Sequence, residues 1–196
     1  MIINREKLEE LDACKEAIVF FSSKYDQIEE VALLRDVLQY EDEVKREYGK
    51  DIYEWCYWLI AYILEPIDRV RFSVYTAELV LHIYEEQYPG DMRPRKTIDS
   101  VKTWIENPTE DHRKAAKEAK EAARNAAKEA ADTAAWAAAD TAWAAADTAA
   151  WAAKEADAAE DAYTADDAYE AAKAAAKADP STKDKILVYG IELLKE

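Results

Sequence analysis

The chain has 196 residues, a formal net charge of -16, a pI near 4.6 and a mean hydropathy of -0.47. That length suits one domain with a real core, and three Gly with five Pro leave little of the turn chemistry that hairpins need, so the reading is all-α. So strong a negative charge argues against ordinary binding to nucleic acid or to an anionic membrane; it serves solubility, or it suits a basic partner.

Leu8, Leu11, Cys14, Ile18 and Phe21 recur at helical spacing and predict a first helix over about 4–21, ended by Ser22-Ser23. Ile28, Val31, Leu34 and Leu38 predict a second over about 26–48, with Gly49 as its C-terminal cap. Asp51 caps a third, which runs through Trp55-Cys56-Tyr57-Trp58-Leu59-Ile60 to about Leu64 and, being apolar nearly all round, reads as the central buried helix. Pro66 opens a fourth helix that carries Val70, Val74, Ala77, Leu81 and Tyr84 and ends before Pro89-Gly90. After a loop at residues 88–95, a fifth spans about 95–106 and stops at Asn107-Pro108, and Thr109 caps the next.

From Ala115 to Ala178, 34 of 64 residues are Ala, the best helix former, and neither Gly nor Pro intervenes. A single helix of that length would be about 95 Å long, too long for a compact domain of this size. Breaks are therefore predicted near Glu129–Asp132 and between Glu155 and Asp167, with Thr164 as a restart cap. A last helix begins at Ser181 and buries Ile186, Leu187, Ile191 and Leu194. The chain reads as one domain, 1–196: an N-terminal helical half, 1–90, and a closely packed Ala-rich half, 91–196.

Within the Ala-rich stretch, Trp136, Asp140, Trp143, Asp147 and Trp151 fall with Asp132 inside an arc of about 100° on one helix. Ala131, Ala134, Ala135, Ala138, Ala142, Ala145, Ala149 and Ala152 form the opposite face, which admits close approach of another helix or of a second copy of the chain. The Trp–Asp face has two readings: the indoles cover the N-terminal helices while the acids line a wet rim, or the stripe docks a partner, Trp being enriched at binding hot spots. Arg113, Lys117, Lys120 and Arg124 line a further helical face, either a phosphate-binding ridge or a solvated face that pairs with acids elsewhere.

Nothing in the sequence marks out catalytic chemistry. His82 and His112 lack the spacing of a metal site, and no phosphate loop, nucleophile elbow or Cys–His pairing occurs. His82, alone in an apolar helix, reads as a core residue. Cys14 and Cys56 read as two buried thiols. The expectation is no enzyme and no metal or other cofactor. The opening Met1-Ile-Ile-Asn-Arg-Glu-Lys has no apolar leader core, and no run of about 20 apolar residues occurs, which predicts a cytoplasmic protein without a membrane span.

The stretch Tyr88-Pro89-Gly90-Asp91-Met92-Arg93-Pro94-Arg95-Lys96-Thr97-Ile98, followed by Trp104 and the Ala-rich tail, resembles the alanine-rich immunity proteins (Imm-five-like) of bacterial polymorphic toxin systems, also found in phages. Asp12-Ala13-Cys14, Phe20-Phe21 and the aromatic helix around Trp55 and Trp58 are similar too. The resemblance implies an all-α cytoplasmic protein that neutralises a toxin or nuclease by protein–protein binding. Where members of the family show His and Arg in the tail, this chain has Trp, Asp and Thr. Asp91, Arg93 and Arg95 form a structural or binding loop in which Pro94 fixes the turn and the guanidinium groups bond helix ends and carboxylates. The other readings of the sequence are a phage anti-defence protein, either a DNA mimic or a nucleotide-sequestering protein, and a helical module that self-associates through its Ala face.

Overall fold

The computed structural model describes the backbone of residues 1–130, 133–152 and 158–195, and the side chains of these other than 113, 133–134, 149–152 and 158–163. Its described residues form eleven α-helices, two short 3-10 turns and one two-stranded antiparallel sheet, so the fold is all-α. They pack as two compact units, Met1–Leu59 and Ile60–Glu196. The division falls inside a helix, not at the change of composition near residue 90, because the Pro89-Gly90 turn only reverses the chain between two helices that pack on each other.

In the first unit the sequence expectation of two long helices fails. Strand β1 (Ile2–Asn4) pairs with β2 (Gln27–Glu29), Ile3 opposite Ile28, and the Met1 ammonium pairs with Glu30. This pairing draws residues 27–29 out of the expected second helix, a long-range contact that periodicity does not register. Helix α1 (Arg5–Glu10) starts at Asn4, whose side chain accepts from Lys7 N at 2.8 Å. It breaks at Asp12, which takes a φ of 60°, a left-handed conformation that Asp tolerates. Ala13 N then donates to the Leu8 carbonyl at 2.9 Å. Cys14 consequently stands at the N-cap position of α2 (Lys15–Lys24), without a side-chain capping bond, and is exposed, not buried as expected; Cys56 is buried. Helix α3 (Glu30–Asp36), a 3-10 turn and α4 (Glu41–Tyr48) follow, and Gly49 ends α4 at a φ of 65°, as its cap role predicts.

Helix α5 (Ile52–Ile63) begins where Asp51 accepts from Tyr53 N at 3.0 Å. It is less central than its composition implies, since Trp55, Trp58 and Tyr62 keep part of their surface exposed.

The second unit contains α6 (Pro66–Gln87), α7 (Arg93–Glu106), α8 (Glu110–Glu129), α9 (Thr133–Ala152), α10 (Ala158–Ala178) and α11 (Lys183–Leu193). Pro66 lies in the first turn of α6 and Thr109 accepts from His112 N at 3.3 Å, as the sequence predicts. Pro94, expected to fix a loop turn ahead of a helix from about 95, lies instead in the first turn of α7, where its fixed φ and missing N–H are tolerated. Helix α9 is the central element and packs against α6, α7, α8 and α10. Ala135, Ala138, Ala142 and Ala145 are fully buried, as are Ala139 and Ala146, and Ala137 and Ala144 nearly so. Side chains this small let four neighbours approach one helix closely. The Ala face on which self-association would rest is, at these four positions, covered by the chain's own helices.

The first break in the Ala-rich stretch falls at Glu129, as predicted. The second expected break falls partly on residues 153–157, which lie outside the described residues; from Ala158 the chain is helical, so Thr164 is a buried residue inside α10, not a cap. Helix α11 buries Ile186, Leu187, Ile191 and Leu193, the last taking the place expected of Leu194. No helix among the described residues is long and apolar enough to cross a membrane.

Candidate functional site

Three ridges of identical 4-3-4 spacing meet on one face of the second unit. Residues 113, 117, 120 and 124 come from α8, residues 136, 140, 143 and 147 from α9, and residues 166, 170, 173 and 177 from α10. Residues so spaced share a helix face, and the contacts between the ridges fix their order, with the Trp–Asp ridge of α9 in the middle. Toward α8, Lys120 pairs with Asp147, and the Trp143 ring receives Lys120 Nζ at 5.5 Å and Arg124 Cζ at 5.9 Å from its centroid. Toward α10, Lys177 Nζ lies 5.8 Å from the centroid of Trp136. Each of these two rings therefore already holds a cation.

The members of the stripe differ in exposure. Trp136 is 39% exposed, the most exposed aromatic ring of the stripe among the described residues. Trp143 is half-buried against the α6–α7–α8 core, and its Nε1–H is buried with no acceptor among the described residues. Asp147 is buried, and Asp140 is half-buried. The Trp151 side chain lies outside the described residues. Partial burial, reinforced by Glu170, raises the Asp140 pKa above the ordinary carboxylate value. Asp167, on α10, is pushed up to about 7 by desolvation and by the Asp147 charge, with Lys120 opposing and Asp166 and Glu170 adding to the rise. Asp140 and Asp167 make no hydrogen bond or ion pair among the described residues, whereas Asp147 is paired. In the sequence Asp167 marks only the end of the second expected break, and it falls outside the spacing that the three helices share, so no local signal singled it out.

The Pro-Gly-Asp turn is a second cluster. Asp91 accepts from Tyr84 Oη at 2.6 Å, from Arg93 N at 3.0 Å and from Arg93 Nη2 at 2.6 Å. Arg93 Nη2 also reaches Glu129 at the end of α8, at 2.6 Å. These donors hold Asp91 well below the usual carboxylate range, and burial with the Asp91 bond drives the Tyr84 phenol up. Arg95 forks onto Glu85, both bonds at 2.7 Å. Asp91 in the turn, with Arg93 and Arg95 in the first turn of α7 and not in the loop expected for them, thus ties α6, α7 and α8 together.

A third polar set was not legible at all. Arg69 on α6 is 4% exposed and donates to the Ala61 carbonyl at 2.8 Å and to Thr164 Oγ1 at 2.9 Å. Ser73 and Thr148 meet at 3.2 Å beside it. His82 is exposed, contrary to the core reading, while His112 Nδ1 donates to the Asn107 carbonyl at 2.8 Å. Among the described residues no group of His, Cys, Asp and Glu is arranged to hold a metal ion.

Fold and face together define an all-α protein with a Trp- and charge-bearing surface on an alanine-packed helical unit. Residues 67–187, more than half of the chain, match the family described as Imm-5 like putative immunity protein, and the chain belongs to that family. The match lies within the second unit and takes in all three ridges. No curated protein and no solved structure gives a significant match.

Proposed function

We propose that this protein is a non-catalytic immunity protein that neutralises a basic toxin or nuclease in the cytoplasm by binding it. The α9 ridge of Trp136, Asp140, Trp143, Asp147 and Trp151 is the proposed contact surface. Membership of the immunity family carries the reading. The charge of -16 supports it, since opposite charge speeds encounter in a way that falls with salt.

The experiment is capture on the immobilised protein from lysate of the native host at low and high salt. The retained proteins are identified, and each is then expressed alone and with this chain. The expected result is one basic protein, released by salt, that stops growth alone and is harmless in co-expression. An empty capture, or a captured protein that is not toxic, overturns the reading. Trp136→Ala is expected to leave folding intact and to weaken capture, as an exposed hot-spot residue would.

A further inference from the structure

We infer that the face over α9 is a docking site for arginine side chains of a basic protein partner. Asp140 and Asp167 would receive the guanidinium groups, and Trp136 would carry an arginine stem. This deepens the proposed function and rests on it.

Two observations and one property of guanidinium carry the inference. First, Asp140 and Asp167 are half-buried carboxylates with no donor among the described residues, while Asp147, between them and α8, is paired with Lys120. Carboxylates withdrawn from water normally find partners, and a guanidinium of a bound protein is a donor that fits both. Second, the aromatic rings of the face already hold cations: Lys177 on Trp136, Lys120 and Arg124 on Trp143, and Lys173 Nζ 5.2 Å from the centroid of Tyr169. Third, guanidinium suits the site better than ammonium, since it is flat, stacks on indole and loses its hydration more readily.

Docking is coupled to protons. The charged groups facing Asp167 are Asp147 on α9, Lys120 on α8, and Asp166 and Glu170 on its own helix. With a pKa of about 7, Asp167 is close to half protonated at neutral pH. A guanidinium requires the ionised form, so docking at pH 7 releases about half a proton, and affinity rises from pH 6 to pH 8.

The test is titration calorimetry of the whole protein with a synthetic Arg-Gly repeat peptide, and separately with spermidine, at pH 7 in two buffers of different ionisation enthalpy. Indole N–H resonances are followed by NMR. The variant Asp140→Asn/Asp167→Asn is compared with Glu41→Gln/Asp42→Asn on α4, which removes at least as much charge from the other unit. The expected result is about tenfold weaker peptide binding and no proton release in the first variant, little change in the second, and a shift of the Trp136 indole resonance in the parent. Equal weakening in both variants, or no proton release in the parent, overturns the proposal. Spermidine binding as tight as the peptide's, with the same proton release, overturns it in favour of a polyamine site. If the peptide fails while the lysate yields a neutralised toxin, this site falls and the immunity reading stands. If the peptide binds as expected while the lysate yields nothing, the site stands and the toxin falls.

Discussion

A methyl group added at Gly190 would stand 2.8 Å from Ile60 Cδ1, 2.9 Å from Ile60 Cγ2 and 3.1 Å from Phe72 Cε2. Inside a helix, Gly to Ala normally gains about 1 kcal/mol; here the contact reverses the sign. Gly190→Ala is expected to destabilise the protein by about 1–3 kcal/mol, read from the urea midpoint. Asp167 is the other residue whose environment decides an outcome. Its folded pKa of about 7 lies above its unfolded value, so the folded state binds the extra proton and stability falls as pH rises from the unfolded value through 7. Asp167→Asn removes that decline. Its gain over the parent is expected to be about 1–2 kcal/mol larger at pH 8 than at pH 5, after allowance for solvent screening; a pH-independent difference would contradict this origin. Neither residue could be weighed from the sequence, because Ile60, Asp147 and Lys120 lie far away in the chain.

Elements were legible where their signals are local. Pro66, Asn107-Pro108, Thr109 and Gly49 act through their own backbone or the adjacent turn; the first three bound helices that fell where predicted, whereas Gly49 ends the short α4, so that only the end of the expected second helix was right. The first thirty residues were misread because β1 takes its partner from a distant segment and because the helix signal of Leu8 and Leu11 continues across the bend at Asp12. The structural role of Asp91, Arg93 and Arg95 was readable from residue type, but their partners Tyr84, Glu85 and Glu129 were not. Arg93→Ala is expected to lower stability at pH 7 by about 1–2 kcal/mol, since it leaves Asp91 short of donors. Arg95→Ala, which frees a more exposed pair, should lower it by less than about 1 kcal/mol. The depressed Asp91 pKa sets the pH window: its contribution is full above the ordinary carboxylate value of about 4 and is lost as pH falls through the lower folded value. The gap between the two variants should therefore close in strong acid, as followed by circular dichroism. Thr164→Val takes an acceptor from the buried Arg69 and is expected to destabilise by about 1–3 kcal/mol.

On the scale of the whole molecule, composition and packing divide the chain at different places. Composition changes near residue 90, yet the helices on either side of that turn belong to one unit, and the family match starts within α6. The Trp–Asp stripe was visible as a periodicity. Its neutralisation at one end by Lys120 and its placement between two charged ridges were not, because they depend on how α8 and α10 pack against α9.

The alanine interior has a thermal consequence. Each buried Ala loses no rotamer freedom on folding and removes little apolar area from water. Melting then exposes fewer hydrocarbon groups per residue than melting of a leucine-packed bundle does. The heat-capacity increment should accordingly lie below the usual value of about 12–15 cal/mol/K per residue. Scanning calorimetry should record a shallow stability dome, in which cooling weakens this fold less than it weakens most proteins of its length.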